Sequence, residues 1–393
     1  MKQILEGSNA IANIIRLIKP AVVSAYPITP QTHIVEDLAK LKADGKADYE
    51  YVRAESEFAA ASIVLGSSAT GVRTYTATSS QGLLLMVEVL FNIAGMRLPI
   101  VLTCANRGVS APITIWNDHQ DAMTVRDAGW IMLFAENSQE AVDLHVVAYK
   151  IAEKLQVPVM VNVDGFVLTH TYEPVILPTQ AQVNKFLPKY KPKKGTYLDV
   201  KDPITLGNFA TPEHYMGIRQ ELHDEIAGSQ ELIKKEMEKW EQSRKSIKSI
   251  KSKVDVVDTG LVEYYGAKNP EVIFVGMGSM IGTVKDFVDN SKGRVGVLKI
   301  RSFRPLPAED IIKIINKAKY IAVLDKSISL GEEGVLATEI KALGNNIKKG
   351  LRNSKPKIQS FVVGLGGRDI TGKTFERIIE LVKKRDSKVK FVG

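Results

Sequence analysis

From its first residues to about residue 165 the chain alternates short apolar runs with longer amphipathic ones, and this alternation constrains the fold more than any other feature. Strands are expected at 21–26, 48–53, 72–77, 99–104, 131–134 and 158–163, with helices near 8–18, 33–43, 56–66, 81–94 and 138–155. Strands separated by whole helices cannot close as hairpins, so they pair in parallel through crossovers. The pattern therefore predicts an α/β fold built on a doubly wound sheet, with ligands beyond the carboxyl ends of its strands. The segment AYPITPQT, Ala25 to Thr32, occupies one such end. Proline fixes its own φ and biases the preceding residue toward extended geometry, so Tyr26 and Thr29 are held out of helix and the stretch forms a rigid turn. Its plainest reading is a strand-to-helix connection with the helix opening near Thr32.

Residues 166–210 are rich in Pro and Lys and read as an excursion that wraps the domain or reaches a neighbour. A charged helix is expected from about 212 to 250 as an exposed connector, its opposite charges falling at i,i+4 spacing. A second alternating unit starts at 271–275 and continues through strands near 294–300, 320–325 and 357–363. The division expected is 1–250 for the first domain with its excursion and linker helix, and 255–393 for a smaller α/β domain. At 393 residues, two such domains can each bury a core.

Charge and cysteine use narrow the function. The net charge of +9 comes largely from Lys-rich stretches at 189–194 and 245–251, which lack the aromatic or glycine pattern of a nucleic-acid module. No nucleic-acid partner is expected. The apolar stretch Leu83 to Met96 is broken by Glu88 and Asn92 and is too short to span a bilayer, and the N-terminus lacks a secretory pattern. The chain reads as cytoplasmic, without a membrane partner. Its single cysteine, Cys104, allows no internal disulfide and no four-cysteine cluster, and a buried apolar role suits it better than reactivity.

Three segments carry possible chemistry. In Tyr51–Ser62 a strand runs into a helix with Glu57 in the first turn; this is either an ordinary dipole partner, half of a capping box, or a carboxylate beside the small residues Ala59–Ala61 that could protonate a ring nitrogen. The polar loop Thr76–Leu83 offers Ser80, Gln81 and helix-start amides to a ligand, although Ser80 as an N-cap explains the pattern equally well. The long loop Asn106–Asp121 carries Arg107, a guanidinium suited to a carboxylate substrate or, alternatively, to tying down its own loop. Asp118, His119 and Asp121 are too closely spaced, without a second cluster, to argue for a metal.

Two glycine patterns also follow strands. Gly276–Gly282 places its third glycine one position late for a dinucleotide fingerprint and reads as a tight turn. Gly367–Thr374, GRDITGKT, matches the phosphate-loop pattern, but the nineteen residues after Thr374 leave no room for the later strands that would bring an acidic Mg²⁺ ligand.

Taken together, YPITP, ESEFAAAS, GVRTYTATSSQGLLLM, NRGVSAPITIWNDHQD, RDAGW and VGLGGRD resemble the α subunit of 2-oxoacid:ferredoxin oxidoreductases, of the pyruvate and branched-chain (2-oxoisovalerate) type. The resemblance covers nearly the whole chain. It implies a thiamine-diphosphate pyrimidine-binding domain followed by a transketolase C-terminal-like domain, and oxidative decarboxylation of a 2-oxoacid with coenzyme A and ferredoxin. It implies that Glu57 hydrogen-bonds N1′ of the aminopyrimidine, where a held proton favours the imino tautomer needed to activate the thiazolium carbon. It also implies that Thr29 and Arg107 bind the 2-oxoacid, with Pro27 and Pro30 fixing the height of the Thr29 hydroxyl. Cofactor contacts are expected from Glu57, Pro27, Ser80 and Gln81.

The chain has no Gly-Asp-Gly segment to open a diphosphate and Mg²⁺ site, and one cysteine cannot carry a cluster. By resemblance the diphosphate, the Mg²⁺ and the [4Fe-4S] clusters belong to β, γ and δ subunits, in a dimer of heterotetramers that reduces ferredoxin. Alone, the chain should be inert. Pyruvate is the first substrate expected and 2-oxoisovalerate the second. The other readings are a thiamine enzyme of the E1 or transketolase type that transfers no electrons, a phosphate-loop enzyme, and a structural scaffold.

Overall fold

The computed structural model describes residues 2–244, 254–291, 293–345, 355–384 and 388–393. Its first sheet runs in the order Ser302–Arg304, Ile131–Phe134, Val159–Asp164, Val101–Asn106, Thr74–Thr78, Val22–Ala25, Glu50–Arg53. Every pairing is parallel except that of Ser302–Arg304, an edge strand lent by the second half of the chain. Because helices cover both faces, Val101–Asn106 and Val159–Asp164 are buried along their whole length and read as near-continuous apolar runs. The interior hydroxyl of Thr103 is met by the Tyr75 hydroxyl at 2.7 Å and His145 Nε2 at 2.6 Å.

The helices of this half are Gly7–Ile18, Thr32–Ala43, Glu57–Ala69, Ser80–Leu85, Val87–Gly95 and Ser138–Leu155, with the short Gln120–Thr124 between the last two. The single helix expected near 81–94 is two, parted at Met86, whose N–H is shared between the carbonyls of Gly82 and Leu83 at 3.2 Å each. In the excursion, Tyr172–Ile176 pairs antiparallel with Lys2–Glu6, and helix Gln180–Phe186 follows under a capping box of Thr179 and Gln182. The chain then returns along the first domain, where the Leu198 N–H donates to Ala69 O at 2.7 Å.

The charged connector differs from the exposed rod expected. It forms two helices, Pro212–Gly228 and Gln230–Arg244, and residues 245–250 of the expected span lie outside the described residues. The second helix buries Ile233, Glu236 and Trp240. The Trp240 indole N–H reaches Asp143 at 2.7 Å and Glu236 takes Lys154 at 2.8 Å, so one face is docked on helix Ser138–Leu155. The apolar spacing 233, 237, 240 is helical and carries that packing inside a sequence dominated by charge.

The second sheet has the order Lys390–Phe391, Lys357–Val362, Tyr320–Asp325, Val272–Gly276, Val295–Ile300, Val262–Gly266, Asp255–Asp258. Its two last strands are antiparallel. The period of two assigns the faces: Ile273, Val275, Ile321 and Val323 join the core of the first half, while Val272, Phe274, Ala322 and Leu324 pack under the outer helices with Phe375. One apolar core is thus continuous between the sheets. An ion cluster closes the seam beside it, with Lys299 on Glu136 at 2.8 Å and Glu140 at 3.1 Å, and Arg301 on Glu140 at 2.5 Å and Asp258 at 2.9 Å.

Candidate active site

The carboxyl ends of the first sheet's strands converge on one region, and the turn Tyr26–Gln31 is the first part of it. Ile28 O accepts the Gln31 N–H at 2.8 Å, and the buried Gln31 side chain donates to Ala77 O at 2.6 Å. The turn is thereby fastened to the end of strand Thr74–Thr78. Pro30 is buried, while Pro27 and Thr29 lie on the exposed side.

Glu57 is the first residue of helix Glu57–Ala69, with Ser56 as N-cap accepting the Ala59 N–H at 3.1 Å. The reciprocal position of a capping box is therefore Ala59, and the box reading of Glu57 falls away. The Glu57 side chain is only 7% exposed, yet no group among the described residues hydrogen-bonds or ion-pairs with its carboxylate. Gly82 packs directly over it: a Cβ there would stand 2.6 Å from Glu57 Oε1 and 2.5 Å from Thr78 Oγ1. Around this spot the buried Thr78 Oγ1, Ser79 Oγ and Gln81 Nε2 also lack partners. Buried polar atoms are nearly always satisfied, so a run of orphans beside an unpaired carboxylate marks a place shaped for a polar ligand.

Ser80 has φ +48°, a left-handed conformation uncommon outside glycine, and is held there from both sides. Its N–H donates to Asp121 Oδ2 at 2.9 Å, and its hydroxyl lies 2.6 Å from Gly108 O and 2.5 Å from Gln81 Oε1. That hydroxyl is spent within the protein, so Ser80 shapes the cradle and Gln81 keeps the open donor.

Asp121 links the two halves of the site. Its carboxylate accepts the N–H groups of Ser80, Arg107 and Ala122 and the Asn106 amide at 2.7–3.0 Å. Fully engaged in this way, it anchors the backbone on both sides of the site. Asp118 likewise accepts the N–H groups of Gln120 and Gly366, and His119 Nε2 lies 2.7 Å from Asp164. Burial raises the Asp118 carboxyl to about 6 against the two backbone donors. Asp118, His119 and Asp121 are thus separately employed. Among the described residues, only Glu6, His33 and His170 stand close enough to be considered for a metal, and there His33 pairs with Glu6 at 2.6 Å.

Arg107 is buried and reaches back to the first turn: Nη1 donates to Thr29 O at 2.8 Å and Nε to Thr114 O at 2.7 Å. It ties its own loop, one of the two readings expected of it, and leaves Nη2 without a partner among the described residues. No carboxylate pairs with the guanidinium among those residues either, and burial lowers its pKa. The structure therefore brings Thr29, Arg107, Ser80, Gln81 and Glu57 into one connected region through Gln31, Asp121 and Gly82. Cys104 lies beneath it, buried, its thiol pushed up by burial and by the neighbouring Asp121.

Sequence reading missed Gln31 and the use of Asp121, because an interior amide or carboxylate that serves the backbone leaves no spacing pattern. It also missed Asp164 and Lys326. Asp164 closes one apolar strand and Lys326 directly follows another, positions from which a polar side chain can only point into the site or the seam.

Comparison with known proteins gives consistent results. The family model described as pyruvate flavodoxin/ferredoxin oxidoreductase, thiamine diP-bdg, matches residues 14–238, and the pyruvate:ferredoxin oxidoreductase core domain II matches residues 270–375. Pyruvate synthase subunit PorA of Methanosarcina barkeri is 47% identical over 390 residues, covering 97% of this chain and 92% of that one. Ketoisovalerate oxidoreductase subunit VorA of Pyrococcus horikoshii is 40% identical over 396 residues, covering 98% and 94%. A solved 2-oxoglutarate:ferredoxin oxidoreductase from Magnetococcus marinus, with 2-oxoglutarate, coenzyme A and succinyl-CoA bound, matches with a TM-score of 0.69 at 20% identity. That match covers 97% of this chain and 65% of the solved one, so the chain spans just under two thirds of its length, and the likeness speaks for the fold.

Proposed function

The chain belongs to the pyruvate:ferredoxin oxidoreductase family, and from that footing we propose that it is the α subunit of pyruvate synthase. With its partner chains it converts pyruvate, coenzyme A and oxidised ferredoxin into acetyl-CoA, CO₂ and reduced ferredoxin. The observation that carries this reading is a pair of buried side chains, Glu57 and Arg107, neither with a side-chain ion-pair partner among the described residues, the Asp121 carboxylate that acts on Arg107 being engaged by backbone N–H groups. Leaving a charge buried and unpaired costs several kcal/mol, so such groups persist where a ligand completes them.

The residues fit thiamine diphosphate at its pyrimidine end. Glu57, Gln81 and the turn at Pro27 would hold that ring, with Ser80 setting the backbone and Gly82 leaving room beside the carboxylate. When bound, the cofactor supplies the carbon nucleophile and the electron sink that no amino-acid side chain offers. Glu57 would hold a proton for the ring nitrogen, in a setting from which water is largely excluded. Arg107, tied to the Thr29 carbonyl, neutralises the 2-oxoacid carboxylate through its open Nη2, and the Thr29 hydroxyl orients the substrate oxygens from a turn that Gln31 keeps from shifting.

By the family resemblance the diphosphate, its Mg²⁺ and the [4Fe-4S] clusters are assigned to partner subunits β, γ and δ, in a cytoplasmic dimer of heterotetramers; this chain offers one buried cysteine and no Gly-Asp-Gly segment for them. A 2-oxoisovalerate enzyme is the second reading, favoured by the VorA relatives. The test is a substrate panel on the co-purified complex, read as ferredoxin reduced per unit time. Pyruvate should give the highest rate; faster turnover of 2-oxoisovalerate would move the chain to the second reading, and decarboxylation without ferredoxin reduction would overturn both.

A further inference from the structure

We propose that Lys326, although it belongs to the second sheet, is a positioning residue for the 2-oxoacid, because it fixes the loop that carries Arg107. The inference rests on the reading that Arg107 receives the substrate carboxylate.

The loops at the carboxyl ends of three adjacent strands of the second sheet meet the far end of the Arg107 loop. From the strand Tyr320–Asp325 comes Lys326, whose ammonium donates to the Asn117 side-chain oxygen and, at 2.8 Å, to Asp164 Oδ2. Its carbonyl accepts the His119 N–H at 2.8 Å. From Val272–Gly276 comes Ser279, which donates its N–H and hydroxyl to Asp164 Oδ2 at 3.1 and 2.5 Å. From Lys357–Val362 comes Gly366, whose N–H meets Asp118 Oδ2 at 3.2 Å. Asn117 passes the constraint on, donating to Asn106 O at 3.2 Å, immediately before Arg107. The Gly108 N–H, on the other side of Arg107, is held by Trp116 O at 3.0 Å. Arg107 is thus bracketed by residues whose own positions are set through Asn117.

Two features separate this from ordinary domain packing. First, the parts are buried: Lys326 is 5% exposed and Asp164 is fully buried. Burial would raise the Asp164 carboxyl, but Lys326 and His119 overcome it and hold it well below the usual range. Second, the turn is cut to fit. Gly278 has φ +72°, and a Cβ there would lie 2.5 Å from Asp164 Oδ1 and 2.9 Å from His119 Nε2. The tight turn after Val272–Gly276 and the glycine run before GRDITGKT are both accounted for as seats for the substrate loop. In the latter, the anion that the loop receives is the protein's own Asp118.

The experiment uses the assembled complex with the variants Lys326→Met, Asn117→Ala, Arg107→Ala and the two double variants that combine either of the first two with Arg107→Ala. Lys326→Met should raise KM for the 2-oxoacid about tenfold while KM for coenzyme A stays unchanged, as expected for loss of one buried charged tether. Asn117→Ala, which leaves the Lys326–Asp164 pair intact, should raise it in the same direction and decides the matter if Lys326→Met fails to assemble. In the Arg107→Ala background neither change should add a further effect on KM. Fully additive effects, or an unchanged KM in Asn117→Ala, would overturn the proposal. An unchanged KM in Arg107→Ala would instead overturn the reading beneath it.

Discussion

Arg107 sits with two of its nitrogens on backbone carbonyls and the third facing no group among the described residues, so the carboxylate recognition proposed for it depends on the planar fork and not on charge alone. Arg107→Lys keeps the charge and loses the fork. It should raise KM for pyruvate roughly 10- to 100-fold, measured by steady-state ferredoxin reduction, with a smaller change in kcat. Thr29→Ala removes a single neutral hydroxyl and should cost about 0.5–1.5 kcal/mol in kcat/KM, all of it in 2-oxoacid handling. At this scale an acid at a helix start and an arginine after a strand each had an ordinary structural reading, and the ligand roles proposed for Thr29, Glu57 and Arg107 came from the family resemblance of the motifs around them. The residues that hold them were not legible. Gln31, Asp121 and Asp164 act by accepting or donating to the backbone from distant parts of the chain, and nothing local distinguishes them from ordinary polar residues.

Among the elements, the short helix Ser80–Leu85 places Gly82 against the Glu57 carboxylate, so the helix start and that carboxylate cannot move independently. Gly82→Ala drives a methyl into Glu57 and Thr78. Overpacking of this kind costs about 1–3 kcal/mol, and here the flexible Glu57 side chain should yield first. The expected outcome is a modest fall in Tm, read by calorimetry, with a disproportionate loss of kcat. Helix Gln230–Arg244 makes the opposite point. Its Trp240 is 2% exposed, and Trp240→Ala should cost about 3–5 kcal/mol in the stability of the chain, measured by denaturant unfolding. The strands expected were met to within a residue or two because apolar runs and alternation are local signals, whereas Asp255–Asp258, Val262–Gly266 and Lys390–Phe391 of the second sheet were not expected. This helix was misread because its buried stripe is narrow and most of its residues are charged. The edge strand Ser302–Arg304 was missed for another reason, since a three-residue pairing with Ile131–Phe134 is fixed by the packing of one half on the other.

For the molecule as a whole, the seam between the sheets combines a continuous apolar core with a cluster of buried ion pairs. Burial would raise the carboxyls of Glu140, Asp258 and Glu263, but Lys299 and Arg301 around Glu140, Arg301 at Asp258, and Lys299 with Lys285 at Glu263 hold all three below their ordinary values. Groups depressed on folding contribute stability that is complete above their unfolded values, near pH 4–4.5, and is lost as the pH falls through the lower folded ones. Stability should therefore be flat in this contribution from about pH 7 to 5 and fall below about pH 4. Thermal unfolding against pH would show this, and Glu140→Gln should flatten the acid limb. Since Lys326 and the Arg107 loop meet at the same seam, activity should be lost together with it.

Central to all of this is the proposal that Glu57 faces the pyrimidine ring of a cofactor whose phosphate end another chain holds. The most direct measurement is the exchange of the thiazolium C2 proton for deuterium in the assembled complex, compared between the native protein and Glu57→Gln with bound thiamine diphosphate quantified in both. The variant should still retain cofactor but exchange slower by at least about a hundredfold, the contribution typical of a positioned general acid–base group. An exchange rate in Glu57→Gln equal to that of the native complex, at equal cofactor occupancy, would contradict the role given to this carboxylate.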